Sequence, residues 1–247
     1  MKGLLVRVGI DQAYGGWNAP VDPGTLEFAY VPIPEGSQRS ELATPYRDVE
    51  GALAGFPGFE LPAALHGRMM HLDPDFERLT YGDNGARRGR RVAELGPRDF
   101  IAFFAGLKPI RALDTNLVYA LVGFYWVKEV VRAVAVPPAR WGENAHTRRV
   151  EHSAADVIVR AEPSGSGRLR RCIPIGEWRD RSYRVRRGLL RAWGHLSSRD
   201  GYIQRSAVPP SFLAPERFLR WFDEQHPDPV AANNPGPAGG WVPEPTP

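Results

Sequence analysis

The side chains of this sequence that can do chemistry lie in four polar segments, the first of which is residues 9–20. Asp11 stands where an N-terminal apolar run ends, and Tyr14, Trp17 and Asn18 follow it. Loops mounted on rigid strands commonly carry functional groups, so we predict an acid–base role for Asp11. Tyr14 and Trp17 are predicted to stack on a flat ring, and Asn18 to read a base edge. The alternative is a turn in which Asp11 and Asn18 cap backbone groups and Trp17 fills the core.

The second segment begins with acidic residues and contains a further candidate acid or base, Asp83. Its first seven positions hold one histidine and three acids, namely His71, Asp73, Asp75 and Glu77. This spacing matches no compact metal-binding motif and also suits an Asx turn before a helix. The sequence therefore predicts no metal ligand, and a metal site at these residues is the alternative.

The same segment continues into arginines that alternate with glycines. Arg87, Arg88 and Arg90 are predicted to bind phosphate, because a guanidinium offers bidentate geometry to phosphate oxygens. The neighbouring glycines let the backbone approach a polyanion closely. A run of charges is also typical of a solvated surface, which is the alternative interpretation.

The third segment, residues 141–149, contains His146. We predict His146 as a proton shuttle, because an unperturbed imidazole titrates near physiological pH. Arg148 and Arg149 follow it and are predicted to contact phosphate. The alternative is a structural or exposed histidine.

The fourth segment, residues 197–206, mixes polar groups with one aromatic ring. We predict that Tyr202 stacks on a base, that Gln204 reads a base edge and that Arg205 binds phosphate. Arginines also outnumber acids between residues 140 and 191. A basic region interleaved with aromatic residues fits contact with nucleic acid.

The composition is that of a globular protein with an unusual basic content. The chain has 247 residues, a net charge of +4, 43% hydrophobic and 24% charged residues, which excludes wholesale disorder. Its 32 basic residues include only three lysines. No apolar run approaches the roughly 18–20 residues that span a bilayer. The single cysteine, Cys172, cannot form an internal disulfide, so we expect a cytoplasmic protein without a membrane segment.

The elements that must position these segments are mostly strands. Apolar, β-prone runs predict strands at residues 3–10, 26–33, 99–105, 117–127, 155–161 and 169–175. Helices are predicted near 46–54, 181–193 and 215–225. This order predicts an α+β fold with a curved or partly closed mixed sheet and peripheral helices. We expect one domain over residues 1–226 and a flexible Pro/Gly-rich tail over 227–247.

The four segments carry a resemblance to a known family. The strings LLVRVGIDQAYGGWNAP, VPIPE, TYGDNGARRGRR, NAHTRR and DGYIQRSA resemble, in this order, the third type of the nucleotide modification associated domain family. The resemblance spans most of residues 1–225 and implies a compact α+β domain that modifies nucleotides or bases. It supplies no catalytic residues. Residues 95–130 are more weakly similar to barrels of the PUA, ASCH and EVE kind, which implies a pocket for a single base.

The sequence therefore predicts a base- or nucleotide-modifying protein, with an enzyme that uses Asp11, Asp83 and His146 as the leading hypothesis. One alternative is a reader that binds a modified base and does no chemistry. Another is a metal-dependent defence nuclease. The predicted partner is a nucleic acid or nucleotide, and the sequence identifies neither a cofactor nor an oligomeric state.

Overall fold

A computed structural model describes residues 1–86, 89–204 and 208–235 of the chain. Its α+β architecture places strands and short helices in mixed order. The strands are β1 (Gly3–Arg7), β2 (Pro20–Val21), β3 (Ile33–Glu35), β4 (Met69–His71), β5 (Thr80–Asn84), β6 (Phe100–Pro109), β7 (Val118–Arg132), β8 (Asp156–Ala161), β9 (Gly167–Pro174), β10 (Gly176–Arg179), β11 (Ser182–Val185) and β12 (Pro229–Val230). The α-helices are α1 (Glu50–Leu53), α2 (Arg90–Ala93), α3 (Ala145–Arg148), α4 (Arg187–Trp193) and α5 (Pro215–Glu224).

The main sheet is mixed and is built around the long strand β7. Its path runs β1-β6-β7-β8-β5, with β2 added to β6 and with β9 and β12 added beyond β7. β1 pairs with β6 in parallel, whereas β6, β7, β8 and β5 pair antiparallel in turn. Two small sheets, β3–β4 and β10–β11, lie outside it. Among the described residues the main sheet does not close into a barrel, which confirms the predicted α+β class with a partly closed sheet.

The core lies on both faces of the sheet. Alternate residues of a strand point to opposite faces. In β1, Leu4 and Val6 join one buried cluster, and Leu5 joins the other. The first cluster includes the inner faces of β5 and β8, whereas the second packs against α4 and α5. Continuous apolar runs at β6 and β7 are therefore buried on both sides, as the sequence indicates.

Two predicted elements differ from the structure. Residues 182–185 form β11 instead of the start of a helix, and only α4 occupies the second half of the predicted helix 181–193. The turn between β10 and β11 has Asp180 and Arg181 at φ of 51° and 59°, a hairpin conformation normally signalled by Asn-Gly. The predicted strand 26–33 is mostly irregular. Its contact with β2 is limited to an isolated bridge between Phe28 and Val21 and to the N–H of Ala29, which donates to the carbonyl of Pro20, and β3 begins only at Ile33.

The segment predicted as a tail begins in contact with the domain. Pro229 and Val230 form β12 along β9. The Asn234 side chain exchanges hydrogen bonds with both backbone groups of Tyr30, and Asn233 accepts one from the N–H of Phe76. Amide side chains that pair with loop backbone in this way fix residues 229–234 to the body. Residues 236–247 lie outside the described residues. No helix in the described part of the chain is long and apolar enough to cross a membrane.

Candidate active site

Two histidines and an aspartate converge where the small sheet β3–β4 meets the edge of the main sheet. His71 is the last residue of β4, Asp73 follows two positions later, and His146 lies in α3. Gly82 lies on the face of β5 that points away from the first buried cluster, and α3 packs against this face. All three side chains are buried. We call these residues the His71–Asp73–His146 cluster.

Asp73 is held through both carboxylate oxygens by the N–H of Gly82, and its Oδ2 also faces the histidines. Its Oδ1 accepts hydrogen bonds from the N–H of Gly82 at 2.9 Å and from the side chain of Asn144 at 3.0 Å. Its Oδ2 lies 3.7 Å from Nε2 of His71 and 3.6 Å from Nε2 of His146. Burial raises the pKa of Asp73 to about 7, against the lowering effect of His146 and the two hydrogen bonds.

Each histidine is oriented by a carboxylate on its other side. Nδ1 of His71 lies 2.7 Å from Oε2 of Glu35, and Nδ1 of His146 lies 2.7 Å from Oδ2 of Asp156. Because an ionised carboxylate only accepts, each Nδ1 carries a proton, and Nε2 of each ring is the atom that faces Asp73. Burial lowers the pKa of His71 to about 4, although the hydrogen bond to Glu35 opposes this, so His71 is neutral at pH 7.

Strand geometry explains these outer contacts. β3 pairs antiparallel with β4, which places Glu35 diagonally across from His71. In the same way, Asp156 begins β8 opposite Asn84 of β5, whose side chain donates to Oδ1 of Asp156 at 3.1 Å. The outer carboxylates are therefore fixed by two separate sheets.

Arg149 joins the two outer carboxylates. Its Nε donates to Glu35 at 3.0 Å, and its Nη1 lies 3.6 Å from Oδ2 of Asp156. Burial alone would raise the pKa of Glu35, but the contacts with His71 and Arg149 outweigh it and lower the pKa to about 2. The pKa of Asp156 is likewise lowered, because the effects of His146 and Arg149 exceed that of burial. Both outer carboxylates are thus ionised at neutral pH.

Close packing at Gly82 completes the site. A Cβ atom at this position would lie 2.5 Å from Cδ2 of His146 and 2.7 Å from Oδ1 of Asn144. The same Asn144 oxygen accepts the N–H of His146 and so caps α3. A glycine in β5 is therefore what allows α3 to approach the strand and to place His146 beside Asp73.

The arrangement can bind a cation or move a proton. One donor atom from each member of the cluster lies within 4.8 Å of the other two, a spacing that a single metal ion can bridge. A carboxyl group with a pKa near 7 can also serve as an acid or a base at neutral pH. Both uses require the orientation that the outer carboxylates supply.

Of the predicted acids and bases, His146 lies in the cluster, whereas Asp83 follows Gly82 in the strand and accepts the hydroxyl of Tyr81 at 3.1 Å. Asp83 is on β5, and its negative charge contributes to the raised pKa of Asp73. Asp11 is placed differently: it accepts the N–H groups of Ala13 and Tyr14, both at 2.8 Å, and pairs with Arg7 at 2.9 Å. These contacts are those of the capped turn that the sequence left open as the alternative.

The predicted base-contacting residues divide between the surface and the interior. Tyr14 is 52% exposed, whereas Asn18 is buried and donates to the carbonyl of Gly106 at 2.8 Å. Trp17 packs against Phe59 and the first buried cluster. For Asn18 and Trp17, these positions favour the structural role over base contact.

Gln204 contacts Arg7, and the ring of Tyr202 lies 5.8 Å from the guanidinium of Arg184, both on the side of the second buried cluster. Gln204 accepts the N–H of Tyr183 through its side chain and the guanidinium of Arg7 through its carbonyl. The guanidinium of Arg7 lies 5.6 Å from the ring centroid of Tyr119, which stacks on Tyr183 at 4.3 Å. Asp11, which pairs with Arg7, therefore belongs to a group of aromatic and arginine side chains that shares no residue with the His71–Asp73–His146 cluster.

The predicted phosphate-binding arginines are placed unequally. Arg90 is at the start of α2 with its side chain 79% exposed, in an ion pair with Glu94 at 3.3 Å. Arg148 is buried and donates to Asp75 at 2.6 Å, which favours a structural role over the predicted phosphate contact. Arg149 is about one-third exposed at the rim of the cluster. Arg87, Arg88 and Arg205 lie outside the described residues.

Sequence reasoning missed most of this site. The sequence assigns His71 and Asp73 a role only in the alternative of a metal site, and it indicates no role for Glu35, Gly82 or Asp156. His146 is 73 positions or more from its cluster partners in the chain, so no local spacing signals the arrangement. The one available signal was the short string with a histidine and an aspartate at the end of an apolar strand.

The sequence comparison assigns the chain to a family. The model of the family described as nucleotide modification associated domain 3 matches residues 2–199, most of the chain, so the protein belongs to this family. The match contains the whole His71–Asp73–His146 cluster and its outer carboxylates. It also confirms the resemblance seen in the sequence. No curated protein and no solved structure matches the chain.

Proposed function

We propose that this protein is an enzyme that modifies a base or a nucleotide, with the His71–Asp73–His146 cluster as its reaction centre. Membership of a nucleotide modification associated family supports the substrate class. The observation that carries the proposal is the convergence of two buried histidines on one buried aspartate, each oriented by its own carboxylate. Such oriented groups with shifted pKa values are typical of catalytic sites.

The cluster has groups for acid–base chemistry in a buried setting. The pKa of Asp73, raised to about 7 by burial, allows its carboxyl to exist in both protonation states at neutral pH. Asp83, which follows Gly82 in β5, is a second candidate acid or base. We assign the proton-transfer role to Asp73 with His146, in place of Asp11, whose carboxylate is engaged by a turn and by Arg7.

The position of Arg149 supports a phosphate-bearing substrate. Its guanidinium is about one-third exposed at the rim of the cluster, where it can bind a phosphate and bring the attached base within reach of the three side chains. Gly89 lies so close to Asp83 that a Cβ at this position would be 2.6 Å from the Cβ of Asp83, so the exposed Arg90 begins α2 on the face of β5 opposite to Gly82. Arg90 is therefore a candidate for phosphate contact away from the cluster.

The test is mass spectrometry of nucleosides from DNA, from RNA and from the free nucleotide pool of cells that produce the protein. We expect a nucleoside mass that is present with the wild type and absent with His146→Ala. The matched control is His66→Ala, because His66 is an exposed histidine outside the site, and it should retain the product. The absence of a new mass from all three pools would overturn the enzymatic proposal.

The same experiment separates the other candidates. A pre-existing modified base that co-purifies with the protein, without a new mass, would indicate a reader. The exposed rings of Tyr14 and Trp178 are the observation that favours this second candidate, since exposed aromatic rings provide stacking surfaces. Cleavage of added DNA or RNA that EDTA abolishes would indicate a nuclease.

A further inference from the structure

We infer that the His71–Asp73–His146 cluster is a binding site for one divalent first-row transition metal ion, with Nε2 of each histidine and Oδ2 of Asp73 as its protein ligands. The inference rests on the proposed function and refines its chemistry: with an ion bound, Asp73 and His146 serve the same reaction centre as metal ligands, in place of the proton-transfer role assigned to them above. It rests on the geometry of the cluster, on the contacts of its outer groups and on the chemistry of its donor atoms.

Three atoms that can act as ligands face one another in the cluster. Each Nδ1 donates to an outer carboxylate, so in the neutral ring that binds a metal the lone pair lies on Nε2, and both Nε2 atoms face Oδ2 of Asp73. The separations of 3.7 and 3.6 Å are too long for hydrogen bonds between them. Converging lone pairs in a buried place repel one another unless a cation lies between them.

The separations between these donor atoms also fit the coordination of one metal ion. With metal–ligand bonds of about 2.0–2.2 Å, two ligands of one ion lie roughly 3 to 4 Å apart. Both nitrogen–oxygen separations fall within this interval, and one donor atom of each residue lies within 4.8 Å of the others. Little movement of the rings is therefore needed to admit an ion.

Carboxylate, amide and backbone groups behind the three ligands hold them in place. Histidines that bind metals usually donate their other N–H to a carboxylate or a carbonyl, which fixes the ring and raises its basicity. Glu35 and Asp156 supply this contact to both histidines at 2.7 Å. Asn144 donates to Oδ1 of Asp73 and the N–H of Gly82 donates to both oxygens, which fixes the carboxylate with Oδ2 toward the histidines. Arg149 in turn ties the two outer carboxylates together.

The donor set identifies the class of metal. Two imidazoles and one carboxylate suit Fe²⁺, Co²⁺, Ni²⁺ or Zn²⁺, whereas Mg²⁺ and Ca²⁺ prefer oxygen ligands throughout. Three protein ligands also leave coordination positions open for water or for a substrate atom. The site is thus of the kind that activates a bound molecule, in contrast to a closed structural site.

The experiment titrates chelator-treated full-length protein with Co²⁺ and follows its d–d absorption, with Mg²⁺ in excess as competitor. We expect one equivalent of Co²⁺, retained in excess Mg²⁺ and displaced by Zn²⁺. Asp73→Asn and His146→Ala should abolish stoichiometric binding. Asp73→Asn is close to isosteric and its amide oxygen can still accept the N–H of Gly82, so it reports on ligation where a truncation fails to fold.

Two further variants make the result specific. Glu35→Gln should weaken Co²⁺ binding by roughly 10–100-fold through its effect on His71, and the exposed His66→Ala should leave it unchanged. Folding is checked by circular dichroism for every variant. Absence of stoichiometric Co²⁺ binding, competition by Mg²⁺, or unaltered binding in folded Asp73→Asn would each overturn the inference.

Metal binding and base modification are measured separately, so their failures are distinguishable. A new nucleoside mass produced by protein that binds no Co²⁺ would leave the proposed function standing and remove the metal. One equivalent of Co²⁺ bound by protein that produces no new mass would do the reverse.

Discussion

The backbone N–H of Gly82 donates to both carboxylate oxygens of Asp73, at 2.9 and 3.0 Å. A main-chain donor cannot rotate away as a side chain can, so strand β5 fixes the carboxylate rigidly. Because Gly82 also lies against His146, one residue of the strand sets the positions of two members of the cluster. This makes Gly82 the most sensitive position outside the three side chains themselves.

Gly82→Ala should disrupt the site more than the fold. The added Cβ would lie 2.5 Å from Cδ2 of His146, so α3 must shift away from the strand. We expect a destabilisation of about 1–3 kcal/mol, as for other overpacked positions, together with loss of Co²⁺ binding and of product. Urea unfolding and the cobalt titration measure the two effects. Gly51→Ala is the control, because nothing lies within 4 Å of its Cβ and it should fold and bind normally.

Arg149→Met should lower the product yield more than the stability. Its side chain is about one-third exposed but its carboxylate partners are buried, so we expect a destabilisation between the roughly 0–1 kcal/mol of an exposed pair and the roughly 3–5 kcal/mol of a buried one. The outer carboxylates Glu35 and Asp156 would lose their common partner, and the product yield should fall by about tenfold or more. Nucleoside mass spectrometry and urea unfolding of the same preparation test this, with Arg132→Met at an exposed end of β7 as control. A yield equal to that of the control would contradict the role of Arg149.

Arg148→Met should be strongly destabilising. The guanidinium is buried against Asp75 at 2.6 Å, and its removal leaves a buried carboxylate without this partner. Loss of one member of a buried ion pair costs about 3–5 kcal/mol, whereas an exposed pair contributes about 0–1 kcal/mol. Arg90→Met, which removes an exposed pair with Glu94, is therefore the matched comparison in urea unfolding. Equal midpoints for the two variants would show that Arg148 does not stabilise the fold.

The thiol of Cys172 should be unreactive in the folded protein. Burial raises its pKa from 9.0 to about 12, so the thiolate fraction at pH 8 is much smaller than in the unfolded chain. We expect no reaction with an aromatic disulfide reagent at pH 8 in buffer. In about 8 M urea, which unfolds most small domains, one equivalent of thiol should react. Rapid reaction in buffer would show that this part of β9 opens readily.

The sequence predicts the sheet well and the site poorly, for a physical reason. Strands β6 and β7 follow from long apolar, β-branched runs that are recorded locally in the chain. The hairpin β10–β11 does not, since its turn places Asp180 and Arg181 in a left-handed conformation without glycine. The site depends on contacts between distant residues. The residue type singles out His146, but only the packing of α3 against Gly82 of β5 brings it to Asp73.

The aspartate at position 11 shows the opposite case. The sequence makes it prominent, because it follows a strand and precedes a loop with aromatic side chains. In the structure its oxygens are occupied by Ala13, Tyr14 and Arg7. Whether such a carboxylate is free depends on backbone donors two and three positions ahead, which the residue types alone do not determine.

The contacts of Asn233 bear on where this protein can be shortened. Its side chain accepts the N–H of Phe76 and donates to Asp75, the partner of Arg148, although it lies 34 positions beyond the last residue matched by the family. Helix α5, which fills one face of the sheet with Phe218 and Phe222, is also beyond that match. The family match and the folded domain therefore end at different residues. A chain cut at residue 199 would expose an apolar face of the sheet and lose the contact of Asn233 with Asp75, two residues from Asp73.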